Sequence, residues 1–256
     1  MHIIDNRTLQ EKSISESEAK LILNNMSYLS IIANEIDYYR LVKYNISSFV
    51  GLQKSIHTQT YDNFMILNSG LANWLNSYYM WLTFHNHKFK LFFPELISRY
   101  REEHIVIKLA NALRNHETHD SFAITEIRYD VINETTSYYM HTNSIIEKCP
   151  DKANYKKWLI NKLISGEIKE SIDAIEFTLS FETVLESVQH EIWDLLVDNI
   201  VKSYNDCIGI IDFEYSHLYN LSICFSNEGE HDNYPFGQRL FNIQEKIRSN
   251  YHKTII

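Results

Sequence analysis

The sequence predicts a mainly α-helical bundle with a small β-hairpin and a mixed C-terminal region. Three observations lead there. Long stretches repeat apolar residues at steps of three and four, the period of one helical face. Helix breakers are scarce, with 6 Gly and 3 Pro in 256 residues, which disfavours loop-rich β architectures. The period changes from helical to alternating over one short region, about 122–142.

The first helix is predicted over about 16–46, where Ile22, Met26, Leu29, Ile32, Ile36 and Tyr39 form one stripe. The second, about 60–87, carries Phe64, Leu67, Leu71, Trp74, Leu75, Tyr78, Trp81 and Leu82, and His85 extends the stripe by a turn. This aromatic stripe is read as core and dimer packing rather than as a base-stacking surface. HNHKFKLFF then leads to Pro94, which suits the first turn of a third helix over about 94–117 because its missing N–H needs no partner there. Ile105, Leu109, Ala112 and Leu113 share one face of that helix, and Leu96, Tyr100 and Ile107 another, so it is expected to be central and antiparallel to the second. Its far end would then lie close to where the second helix begins.

FAITEIRYDV (122–131) and SYYMHT (137–142) read as hairpin strands around NETT. KANYKKWLINKLI reads as a short helix that Gly166 ends, and a helical stripe resumes from Ser180 with Val184, Leu185, Val188, Ile192 and Leu196. LYNLSICFS (218–226) looks extended, EGEHD (228–232) looks like a solvated loop, and FGQRLFNIQEKIRS looks like a last helix. His141 and His217 fall in extended segments. With no repeat and no linker rich in Pro, Gly or Ser, one domain over 1–256 is expected.

No apolar run reaches the roughly 18 residues of a membrane helix, and MHIIDNRTLQEK is too polar for a signal peptide, so no membrane partner is expected. Cys149, Cys207 and Cys224 are scattered, which fits free thiols in a reducing cytoplasm and offers no zinc spacing. A formal charge of −9 argues against a sequence-independent nucleic-acid coat. A local basic site is still compatible with it, because Lys88, Lys90, Arg99, Arg101, Lys108 and Arg114 cluster in one stretch.

At the end of the third helix stands LANALRNHETHD (109–120). Three chemistries compete for it. His116-Glu117-x-His119 resembles the zincin signature but is one residue short; the pair still shares a helical face, yet no third ligand is apparent beyond a speculative His85-x-His87. Alternatively the stretch is an ordinary charged helix end, with histidine beside the negative end of the dipole and Arg114 paired to Glu117. The third chemistry is metal-free RNA cleavage. It needs a base for the 2′-hydroxyl, an acid for the leaving oxygen and positive charge for the transition state. Histidine can serve both proton roles, and arginine offers a cationic fork that matches phosphate. Asn115 and His119 lie on one side of an ideal helix, whereas Arg114 and His119 point roughly 140° apart. Either the helix breaks before His119, or two copies of the motif meet across a dimer.

Arg114-Asn115-x-x-x-His119 resembles the Arg-polar-x-x-x-His motif of the HEPN superfamily, all-helical domains that include many metal-independent ribonuclease toxins and phage-defence effectors. The wider LANALRNHETHD is similar to the helix-ending signature of a group of bacterial HEPN-like proteins in which extended segments and further helices follow. The resemblance covers about 60–145. Arg99 and His104 share the spacing, but Tyr100 stands where the family has a polar residue, and both fall inside the predicted third helix. What the resemblance implies is a homodimer with one composite site and no cofactor or metal. In it Arg114 would hold the scissile phosphate, His119 would transfer protons and Asn115 would keep the geometry. His116, Lys108, Lys88 and Lys90 are weaker candidates for contacts with the RNA, and an antitoxin or sensor partner is expected. The alternative is a non-catalytic helical module that scaffolds or senses.

Overall fold

A computed structural model describes residues 1–89, 99–100, 103–117, 122–148, 154–211, 219–227, 230–234 and 236–251. They are mainly helical, with two small sheets. The helices are α1 (Glu16–Gly51), α2 (Tyr61–Phe84), α3 (Ile105–Glu117), α4 (Thr142–Lys148), α5 (Asn154–Ile164), α6 (Ala174–Ile211) and α7 (Gly237–Tyr251). The strands are β1 (His2–Asp5), β2 (Glu11–Ser13), β3 (Ile124–Asp130), β4 (Thr135–His141), β5 (Ser171–Asp173), β6 (Leu221–Asn227) and β7 (Glu230–Tyr234).

The chain divides into two compact units, one of residues 1–37 with 192–256 and one of residues 38–191, the boundaries falling inside or beside α1 and α6. In the first unit the N-terminal strand β1 is the hinge of an antiparallel sheet of order β2-β1-β6-β7, pairing Ile3 with Ile223. α1 starts with a reciprocal cap: the Ser15 hydroxyl accepts from the Glu18 amide at 3.2 Å while the Glu18 carboxylate accepts from the Ser15 amide at 2.7 Å. Cys207 is fully buried here, and burial pushes its thiol up to about 12.

The second unit contains α2 and α3, which pack together, and the sheet β3-β4-β5. Its core is aromatic. Trp74 and Tyr78 of α2 meet Phe181 of α6 at centroid distances of 4.9 and 4.8 Å. Lys43 ties α1 to α6 through the carboxylates of Glu182 and Glu186. The hairpin is pinned from outside: the Tyr138 hydroxyl donates to the Ile56 carbonyl at 2.9 Å, and Gln53 donates to the Thr136 carbonyl at 2.7 Å. One buried bond pair fixes the strand that follows the motif. The Asn68 side chain donates to the Ile124 carbonyl at 3.0 Å and accepts from the Ile124 amide at 2.9 Å, so a helical side chain imitates a neighbouring strand.

Several expectations change. α2 gives way after Phe84 to a π-turn, His85–Phe89; residues 99, 100 and 103 are helical, within the expected third helix, but the helix is interrupted at His104 and α3 runs from Ile105. Residues 90–98, where Pro94 was to start the third helix, lie outside the described residues. Arg99 and His104 are not core residues of α3: Arg99 is half-exposed and ion-paired with Glu191, and His104 precedes the helix. The hairpin turn is at residues 131–134 rather than at NETT, because the Asp130 carboxylate accepts from the Ile132 and Asn133 amides and Glu134 takes φ +51°. EGEHD is no free loop at its end, since Glu230–Tyr234 is an edge strand on β6, its charges suiting an unpaired edge. His141 has a partner, the Glu126 carboxylate at 3.4 Å, while His217 lies outside the described residues. The helix expected from Ser180 begins at Ala174, capped by the Asp173 carboxylate at 2.8 Å from the Ile175 amide. Gly166 does end α5, with φ +75° and its amide donating to Leu163.

Asn68→Leu will lower unfolding stability by about 2 kcal/mol, read as a fall in the urea midpoint, because both polar groups of Ile124 lose their partner in a dry place. Burial, with the Asp173 charge second, pushes the Tyr138 phenol up to about 12. A raised acid of this kind contributes stability that is whole below its ordinary value near 10 and is lost as pH rises toward about 12. Melting temperature will therefore fall across that alkaline interval, and less steeply in Tyr138→Phe.

Candidate functional site

The site is built on the last turns of α3. Leu109, Ala110, Ala112 and Leu113 are buried, so the helix is held by its apolar face right up to the residue before Arg114. Arg114 is half-buried. Its guanidinium carbon lies 3.9 Å from the centroid of the Tyr79 ring on α2, a cation–π contact. Its Nε is buried and has no hydrogen-bond partner among the described residues. Other arginines of the unit are neutralised: Arg99 by Glu191, and Arg128 by Glu126, whose carboxyl that contact holds below the usual range. No carboxylate pairs with Arg114 among the described residues.

Tyr79 is 41% exposed, although it follows the fully buried Tyr78. The helical period explains the contrast, since Trp74, Tyr78 and Trp81 face the core and Tyr79 and Met80 face outward. Tyr79 also lines an open groove of about 350 Å³ with Met80, Thr83 and Phe84. Tyr38 of α1 closes one side, its ring 5.0 Å from that of Phe84. His87 and Lys88 complete the lining, both exposed. The π-turn puts them there. It turns the buried His85, whose ring packs tilted against Trp81 with centroids 4.3 Å apart, inward while His87 comes out at the rim, so the two histidines of His85-x-His87 sit in different environments.

The positions expected from the sequence separate accordingly. Lys88 lines the groove that Tyr79 also lines, and Arg114 lies over the Tyr79 ring without lining the groove. Lys108 does not join them: its ammonium lies over Trp158 of α5 at 5.8 Å. Asn115 and His116 belong to α3, but their side chains lie outside the described residues, as do His119 and Lys90 altogether. Arg114 lies opposite the last third of α2 and not near its beginning, because residues 85–104 intervene between the helices. The chain reaches the start of α2 only at Phe122, whose ring is 6.0 Å from Tyr61. Sequence reasoning missed Tyr38, Tyr79 and Phe84. An available signal was an aromatic, Tyr79, on the polar side of an amphipathic helix.

Chemically the arrangement offers an ammonium and an imidazole at an aromatic groove, with a guanidinium over the Tyr79 ring. That combination suits a ligand with both a negative group and a flat apolar one. Among the described residues no helix is long and apolar enough to cross a membrane. No family model, curated protein or solved structure matches the chain.

If Arg114 serves a ligand rather than the fold, Arg114→Met will change unfolding stability by no more than about 1 kcal/mol, since the cation–π contact it loses is offset by apolar packing on the same ring. A loss beyond about 2 kcal/mol in a denaturant titration would make Arg114 a structural strut.

Proposed function

We propose that the chain is a metal-independent endoribonuclease of HEPN type, a toxin or defence effector that acts as a homodimer. The observation that carries this reading is the state of Arg114. The arginine of the Arg-Asn-x-x-x-His motif lies at the end of its helix with an unsatisfied Nε, beside a groove rimmed by His87 and Lys88. A buried donor without a partner costs stability, a cost that an arriving acceptor would offset. Phosphate is the group that the guanidinium fork matches.

In this reading Arg114 binds the scissile phosphate and meets the charge that develops on it. The 2′-oxygen attacks phosphorus, the bond from phosphorus to the 5′-oxygen breaks, and a 2′,3′-cyclic phosphate and a 5′-hydroxyl result. One imidazole takes the proton of the 2′-hydroxyl and a second gives one to the leaving oxygen. His119 from each of two copies supplies the pair, and Asn115 holds them in place. An RNA-cutting enzyme must be restrained in its host, so an antitoxin or sensor partner belongs to the proposal. A second reading, a non-catalytic module that holds RNA or a nucleotide and reports it to a partner, is favoured by the net charge of −9 and by the diversion of Lys108 to Trp158.

One assay separates them. Purified chain will cut RNA in the presence of EDTA and leave cyclic phosphate ends. Arg114→Ala and His119→Ala will fold and dimerise as the parent does and lose at least about a hundredfold in rate, as expected on removal of a transition-state or proton-transfer group. Binding without cleavage by the parent chain selects the second reading, and full activity in both variants removes the motif from the chemistry.

A further inference from the structure

The turn between β3 and β4 carries its apolar residues on the outside. Val131 is 76% and Ile132 91% exposed, side by side at the tip, where turns ordinarily place small polar residues. The tip is stiff as well as bare. The Asp130 carboxylate accepts from the Ile132 and Asn133 amides at 2.9 and 3.2 Å, and the Asn133 side chain donates to it at 2.7 Å. Two aliphatic side chains on a fixed backbone are thus held out in water, and docking them costs little further order. A carboxylate stands on each side of the pair, Asp130 before it and Glu134 after it, both exposed. The Asn133 side chain, with the turn amides, holds the Asp130 carboxyl below its usual range, so it is charged at neutral pH.

The same unit, residues 38–191, offers the counterpart. The groove of Tyr38, Tyr79, Met80, Thr83 and Phe84 is an open apolar space of about 350 Å³, with Lys88 and His87 at its rim. That is room for a pair of aliphatic side chains and not for a helix. No carboxylate pairs with Lys88 among the described residues. An apolar tip suits apolar walls, and its acidic shoulders suit a basic rim. Ile132, almost wholly exposed, is not seated in the groove of its own chain, so a tip reaches that groove only from another copy. We infer that the hairpin tip of one chain docks in the groove of a second copy, Val131 and Ile132 filling it and Glu134 meeting Lys88. Tip and groove are different surfaces, so the contact is heterologous. It closes where symmetry returns a second tip to the first groove, and otherwise runs on into open chains. A tip of a few residues is small beside the roughly 800 Å² per partner of a standard interface, so the assembly is weak and depends on concentration. Neither surface includes the Arg114 motif, and the inference goes beyond the ribonuclease reading without resting on it.

The test follows the full chain by sedimentation velocity over a rising concentration series. The parent chain is expected to associate. Ile132→Asp lies at the surface and spares the fold, and should raise the dissociation constant by roughly tenfold or more, the range for burying one charge in an apolar contact. Glu134→Lys and Lys88→Glu should each weaken association when alone. Mixing the two singly substituted chains should restore it, since the charges are then exchanged across the contact. Cross-linking reads which surfaces meet. Chains with Ile132→Cys mixed with chains carrying Met80→Cys should form, under mild oxidation, a disulfide between positions 132 and 80 located by mass spectrometry. Its yield should be well above that of Ile164→Cys in the same mixture, a similarly exposed control on α5. Association that Ile132→Asp leaves unchanged, or a yield at 132 no higher than at the control, overturns the inference and leaves a dimer through the motif standing. A chain that stays monomeric at every concentration overturns both.

Discussion

The motif segment is suspended between two points on one helix. At its start Arg114 rests on Tyr79, and just beyond its end Ile124 exchanges two hydrogen bonds with Asn68. Both anchors belong to α2, and eleven residues of helix set them roughly 16 Å apart. The Asn68 contact is the stronger constraint. It satisfies both polar groups of a backbone unit in a dry place, and losing it would leave them buried and unpaired. It fixes the start of strand β3, while Tyr138 and Gln53 hold the rest of the hairpin.

The electrostatics of the site are local, not global. The chain is acidic, with 33 Asp and Glu against 24 Lys and Arg, yet in residues 38–191 many carboxylates are already committed to cations. Glu182 and Glu186 hold Lys43, Glu191 holds Arg99, Glu126 holds Arg128 and Glu167 holds Lys162. Such pairs cancel each other within a few ångströms, and salt screens what is left beyond about 10 Å. Arg114 lies over the face of the Tyr79 ring, and no carboxylate is paired with it among the described residues. A short-range anion site can therefore exist on a protein whose net charge would repel a long stretch of RNA. That contrast favours recognition of one or two phosphates over a nucleic-acid coat.

The π-turn at His85–Phe89 is the other local device. Its wider turn breaks the register of α2 after Phe84, so that His85 continues the buried aromatic stripe on Trp81 while His87 and Lys88 come to the groove. A regular α-helix would have rotated these side chains differently around the axis. Core and rim thus follow each other within three residues, and the aromatic packing of Trp74, Tyr78 and Phe181 behind them keeps the wall of the groove stiff.

Periodicity by itself determined the long helices and most of what they bury, while the short α4 left no such trace. The stripes of α1, α2 and α6 are local patterns, and burying each of them needs only some apolar partner. Gly166 was legible for the same reason, since ending a helix with a positive φ is a property of one residue. The place of Arg114 near the end of a helix was legible from where the apolar stripe stops. Tertiary structure decided the rest. The pairing of β1 with β6, separated by most of the chain, leaves no local trace, and the strand Glu230–Tyr234 reads as a charged loop until β6 is beside it. The turn of the hairpin moved because Asp130 bonds to its own backbone, where residue type alone favoured the asparagine and threonines that follow. Lys88 and Lys108 look alike in sequence, yet one lines the groove and the other covers Trp158. Which cation meets which ring depends on how helices pack, and that information belongs to pairs of distant residues, not to any single stretch.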